Sequence, residues 1–150
     1  MATLPRTHCI VSGSGPALVL IHGVGLDLTM WAPALPLLEK RFTVIRYDLL
    51  GHGATPAIGT TVTLDDFVEQ LRDVLDRNGI QRAHVLGFSL GGIVCRGWAA
   101  AYPDRTDRLV VLCSIMPRTP DQRAAIAGRL RQLEEGGSNA TLDAAIARWY

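Results

Sequence analysis

The sequence predicts an α/β fold, a mostly parallel sheet with helices on its faces. Three observations predict it. Short apolar, often β-branched runs recur, "ALVLIHG", "FTVIRYD", "AHVLGFS" and "DRLVVLCS", each of strand length. The segments between them carry apolar residues at helical spacing. The runs do not alternate apolar with polar, which marks strands buried on both faces, and strands interleaved with helices make such a sheet parallel.

"THCIVSG" precedes the first apolar run closely enough to be an antiparallel strand at the sheet edge. "LTMWAPALPLLEKRF" has helical spacing, with Pro33 and Pro36 making its start irregular. "TLDDFVEQLRDVLDRNGI" is the clearest helix: Thr63 offers an N-cap, Asp65 and Asp66 suit the first turn, and Asn78-Gly79 ends it. Its residues Phe67, Val68, Leu71, Val74 and Leu75 form one apolar stripe. "LGGIVCRGWAAAYP" is a further helix, stopped before Pro103. After Pro117 the pattern changes to two helices with no strand between them, "TPDQRAAIAGRLRQLEEGG" and "NATLDAAIARWY". The expected organisation is a core over 1–116 and the beginning of a helical cap or lid over 117–150.

With 150 residues, 48% apolar and 19% charged, the chain has the composition of a globular domain. A formal net charge of +1 gives no electrostatic reason to expect nucleic acid or an anionic membrane. "MATLPRTHCI" lacks the apolar centre of a secretory signal, and the longest apolar runs are too short to span a bilayer. A cytoplasmic location is the default expectation. Cys9, Cys95 and Cys113 are odd in number and widely spaced, which fits neither a disulfide framework nor a zinc site. Cys113 stands in an apolar run and reads as a small buried hydrophobe.

The chemistry centres on "HVLGFSLGGI", residues 84–93. Gly87-Phe88-Ser89-Leu90-Gly91 stands between a strand and a helix, the context of a nucleophile elbow. Its glycines let strand and helix approach a tight turn, which lifts the serine above the sheet edge in a strained backbone conformation. A Gly-rich turn with an N-capping serine is the plainer alternative. Acyl transfer also needs donors for an oxyanion. The elbow supplies the backbone N–H of Leu90. The loop after an earlier strand, "LIHGVG", supplies the second, with Val24 as donor and Gly23 and Gly25 allowing the backbone to turn inward.

His22-Gly23-Val24-Gly25, "YDLLGHG" at 47–53 and "GFSLGG" at 87–92 resemble, in order and spacing, the motifs of the α/β-hydrolase superfamily. The resemblance covers almost the whole chain. Within the superfamily, "LIHGVGLDLTMW", "RYDLLGHG", "LGFSLGG" and "ARWY" are most similar to 3-oxoadipate enol-lactonase and related ester and lactone hydrolases. The resemblance implies an α/β-hydrolase fold and hydrolysis of a small carboxylic ester or lactone through an acyl-enzyme on Ser89, with no metal or cofactor. It places His22 in the oxyanion loop and makes Asp48 and His52 structural supports of the turn beside the site. It also implies an acid and then a histidine after Ser89.

No histidine follows Ser89 in the chain. The expectation is therefore an N-terminal fragment of a longer hydrolase, with the later strands, the acid and the histidine beyond Tyr150, and an isolated 1–150 that is inactive. The alternatives are a truncated, non-catalytic relative acting as a binding module or remnant, and a cofactor-free perhydrolase. The expected partner is a small-molecule ester or lactone.

Overall fold

A computed structural model describes residues 4–59, 61–114, 119–128 and 131. Its first unit, Met1–Ile115, is built on a five-stranded sheet. The strands are β1 (Cys9–Gly13), β2 (Ala17–Ile21), β3 (Thr43–Tyr47), β4 (Ala83–Phe88) and β5 (Thr106–Leu112), in spatial order β1-β3-β2-β4-β5. β1 runs antiparallel to β3, and the other pairs are parallel. The expected α/β architecture and its antiparallel edge strand are thus present.

β2 lies in the middle, so both its faces are covered. Val19 and Ile21 join Ile45, Val85, Leu71, Val94 and Trp98 in a core on one face. Leu18 and Leu20 join Trp31, Leu35 and Val44 on the other. This alternation within an all-apolar run follows from the two-residue period of a strand. The first core is closed by α2 (Leu64–Arg77) and α3 (Leu90–Ala101). α2 starts as its sequence implies: Thr63 accepts the Asp66 N–H, and the Asp66 carboxylate accepts the Thr63 N–H at 2.8 Å, a reciprocal capping box.

Three local expectations need correction. "LTMWAPALPLLEKRF" forms a 3-10 helix over Leu28–Ala34 and a one-turn helix, α1 (Leu35–Leu38). Pro33 brings no N–H to the turn, and Pro36 is suited to the first turn of a new helix, so the two prolines split the segment. β5 is not buried on both faces: Leu109, Val110, Val111 and Leu112 are 37–42% exposed, because only β4 flanks β5 among the described residues. Cys113 is exposed with φ +48, since it lies past the end of β5 in a turn.

The second unit is Met116–Tyr150. Residues 120–128 are helical, opened by a second reciprocal cap in which Gln122 Oε1 accepts the Thr119 N–H and Thr119 Oγ1 accepts the Gln122 N–H. The expected cap helix "NATLDAAIARWY" lies outside the described residues. No described helix is long and apolar enough to cross a membrane.

Candidate active site

Ser89 stands between β4 and α3 with φ +53 and ψ −110, one of two non-glycine residues with positive φ among those described. Only a surrounding structure that over-determines the backbone holds a serine there. The flanking glycines show how. A Cβ on Gly87 would collide with the backbone of Gly91, and one on Gly91 with the carbonyl oxygen of Ile21. The first turn of α3 therefore presses directly on β4 and on the end of β2. Side chains at 87 and 91 would push it away, and the turn at Ser89 would open. Ser89 itself is half-buried.

The loop after β2 reaches the same place. A Cβ on Gly23 would lie 3.2 Å from Ser89 Cβ, so the loop backbone passes against the serine. Val24 follows, 69% exposed, and Gly25 completes the turn at φ +73. The Gly23 carbonyl accepts from His22 Nδ1 at 2.8 Å and from the Leu26 N–H at 3.3 Å. The planar trans peptide points the Val24 N–H opposite to that carbonyl, so its direction is held by the same bonds.

His22 is fully buried, and its tautomer is set by its partners. Nε2 accepts the Leu49 N–H at 2.9 Å, so the proton resides on Nδ1 and is donated to Gly23. Burial pushes His22 below the ordinary histidine pKa, against the Gly23 carbonyl, which favours the charged ring. Both nitrogens of His22 are thus occupied. His52 has its ring 5.2 Å from that of His22 and directs Nδ1 at the Leu50 carbonyl, 3.0 Å away. His84 sits near the start of β4, roughly 16 Å of strand from Ser89.

Asp48 is buried, and three groups donate to it: Leu28 N–H at 2.8 Å, Ala54 N–H at 2.9 Å and His8 Nδ1 at 2.8 Å. Burial opposes its charge, but the bonds from His8, Ala54 and Leu28 outweigh burial and hold the carboxyl below its usual range. It ties the start of the 3-10 helix, the 48–55 loop and the N-terminal segment together. His8 and Gln70 are the supports that sequence reasoning missed. Gln70, fully buried on α2, accepts the Leu50 N–H at 3.1 Å and donates to the Asp48 carbonyl at 3.0 Å.

Burial also disfavours two thiolates: it pushes the Cys95 thiol up to about 12 and the Cys9 thiol up to about 11. Among the described residues, no three His, Cys, Asp or Glu side chains gather closely enough to hold a metal ion.

Comparison with known proteins agrees with this fold. The chain is 30% identical over 143 residues to the (E)-2-((N-methylformamido)methylene)succinate hydrolase of Acinetobacter baylyi, covering 95% of the chain and 54% of that relative. A hydrolase from Pseudomonas aeruginosa PA01 superimposes with a TM-score of 0.83 at 33% identity, over 92% of this chain and 52% of that one. The enol-lactonase from Burkholderia xenovorans LB400 does so with a TM-score of 0.83 at 30% identity, over 95% and 56%. The chain spans about half the length of these relatives. A profile described as alpha/beta hydrolase fold matches residues 16–136, and with the sheet order and the strand–Ser89–helix turn it shows that the chain belongs to the alpha/beta hydrolase fold family.

Proposed function

We propose that the complete gene product is a serine hydrolase of small carboxylic esters or lactones, working through an acyl-enzyme on Ser89. The observation that carries this reading is the backbone of Ser89, held at φ +53 on the β4–α3 turn with Gly23 packed against it. The names of an A. baylyi succinate-derivative hydrolase and a B. xenovorans enol-lactonase support small carboxylic acid derivatives as the substrate class.

In this reading Ser89 Oγ attacks the substrate carbonyl carbon and its proton passes to a general base. The carbonyl oxygen takes the negative charge and accepts from the Val24 and Leu90 N–H groups. Leu90 is the first residue of α3, where N–H groups have no acceptor within the helix and the dipole favours an anion. Collapse of the tetrahedral species expels the alcohol, or opens the lactone, with the proton returned by the base. Water then repeats the sequence on the acyl-enzyme. His22 cannot be that base, because its Nε2 lone pair is held by Leu49. The base and its acid are not assigned to residues of this chain, so the complete gene product is the species to assay.

The test is hydrolysis of nitrophenyl acetate and a panel of small lactones by that product and its Ser89→Ala variant. A loss of at least about 10³-fold in kcat is expected. Equal rates for the two proteins would sink the reading and favour a non-catalytic relative.

A further inference from the structure

We infer that Ser114 is a positioning residue that fixes the direction of the Leu90 N–H, and so half of the oxyanion site, from the end of the neighbouring strand. The inference rests on the proposed role of Ser89 and deepens it.

The β4–β5 register pairs Phe88 with Leu112. Beyond that pair both strands leave the sheet, and they remain bonded. The Ser89 N–H donates to the Leu112 carbonyl at 2.9 Å. The Ser114 hydroxyl donates to the Ser89 carbonyl at 2.8 Å. Both polar groups of the strained serine's backbone are therefore gripped by residues 112 and 114. The residue between them, Cys113, is the other non-glycine residue with positive φ among those described, at +48. That turn brings the Leu112 carbonyl and the Ser114 hydroxyl to the same neighbour. Two strained backbones face one another, and the two hydrogen bonds hold each against the other.

The consequence for chemistry comes from the planar peptide. The Ser89 carbonyl and the Leu90 N–H belong to one trans unit and point in opposite directions. Whatever holds the carbonyl aims the N–H. Two donors hold it, the Gly92 N–H at 3.0 Å and Ser114 Oγ. Ser114 is itself wedged over the first turn of α3: a Cβ on Gly92 would lie 2.6 Å from Ser114 Cβ and 2.8 Å from its Oγ. The Ser114 side chain thus packs against the first turn of α3 while its hydroxyl bonds the Ser89 carbonyl. His22 plays the matching part for the other donor, since it holds the Gly23 carbonyl whose peptide carries the Val24 N–H.

The experiment uses the complete gene product, with nitrophenyl acetate as probe and amide hydrogen exchange as a second readout. Ser114→Ala is expected to lower kcat by about ten- to a hundredfold with KM within about twofold, the mark of an interaction realised in the transition state. Exchange at the Leu90 amide rises while α2 amides stay protected. Cys113→Gly, which suits a left-handed backbone, keeps kcat within about twofold, so that the loss belongs to the hydroxyl and not to the turn. Unchanged kcat in Ser114→Ala, a rise in KM alone, or an equal loss in Cys113→Gly overturns the inference. A Ser89→Ala variant as active as the wild type overturns the parent reading instead, and the Leu90 exchange then decides alone whether Ser114 fixes this peptide.

Discussion

The Nε2 atom of His22 accepts the backbone N–H of Leu49 at 2.9 Å, across the gap between the loops that follow β2 and β3. This bond works only while the ring is neutral, because a protonated imidazole has no lone pair to offer.

A pH dependence of stability follows. Burial holds the folded pKa of His22 below the ordinary value of 6.5. As pH falls, the unfolded chain takes up the proton before the folded one does. The contribution of His22 is thus full above about pH 6.5 and declines below it, until the folded ring protonates as well. Denaturant midpoints at pH 8 and pH 5.5 should differ more in the wild type than in His22→Gln, which does not titrate. His22→Ala should cost roughly 2–4 kcal/mol at pH 8 and less at pH 5.5, since it opens a cavity and strands the buried Leu49 N–H. Equal midpoint shifts in the wild type and His22→Gln would show that the ring does not carry the effect.

Asp48 and Gly53 give a second expectation. Gly53 has φ +51, and a Cβ there would run into the Asp48 carboxylate. Gly53→Ala should therefore cost roughly 2–4 kcal/mol, from backbone strain and displacement of a carboxylate with three donors. Gly59→Ala, with no atom within 4 Å of its Cβ, should stay within about 0.5 kcal/mol. Thermal unfolding of the two variants side by side reads the difference.

Those two loops also show where sequence reasoning reached and where it stopped. The strands, α2 with its Thr63 cap and the Gly87–Gly91 turn were legible because each is set by residues a few positions apart. His8 was not. It stands near the terminus and looks uninformative, but β1 pairs antiparallel with β3 and sets Cys9 opposite Tyr47, so the next pair, just past the end of the ladder, is His8 and Asp48. A contact 40 residues apart is written in the register of a sheet, which local patterns do not carry. Gln70 was missed for a related reason: a polar residue on a helix reads as solvated until the loop it braces is in place. Cys113 was read as buried because its run is apolar, although the strand ends before it.

β5 supports a prediction about solution behaviour. Val111 faces α3, since its Cγ1 would lie 2.9 Å from a Cβ on Gly92, so Val110 and Leu112 face the other side of the sheet. All three are more than a third exposed, on a strand that is an edge among the described residues and so can pair with another chain. Residues 1–150 expressed alone should self-associate as concentration rises. Val110→Lys should shift them toward monomer in light scattering. A monodisperse wild-type 1–150 at high concentration would contradict this.

The last prediction concerns turnover by residues 1–150 themselves. A neutral serine is a weak nucleophile and needs a base within hydrogen-bond reach. Both nitrogens of His22 are committed to backbone partners, and its pKa is pushed down by burial, so it neither reaches Ser89 nor takes up a proton readily. His8 is directed at Asp48. His84 lies near the far end of β4, roughly 16 Å of strand away. His52 uses Nδ1 on the Leu50 carbonyl, which leaves its Nε2 to test. What remains to 1–150 is binding and whatever oxyanion stabilisation Val24 and Leu90 provide, a residual of roughly 10³–10⁴ over water in enzymes stripped of a triad member. Nitrophenyl acetate hydrolysis by 1–150 should therefore fall at least about 10³-fold below that of the complete gene product and should not respond to Ser89→Ala. Full, Ser89-dependent turnover by 1–150 would place the base inside the chain. His52→Ala would then be the variant that abolishes it.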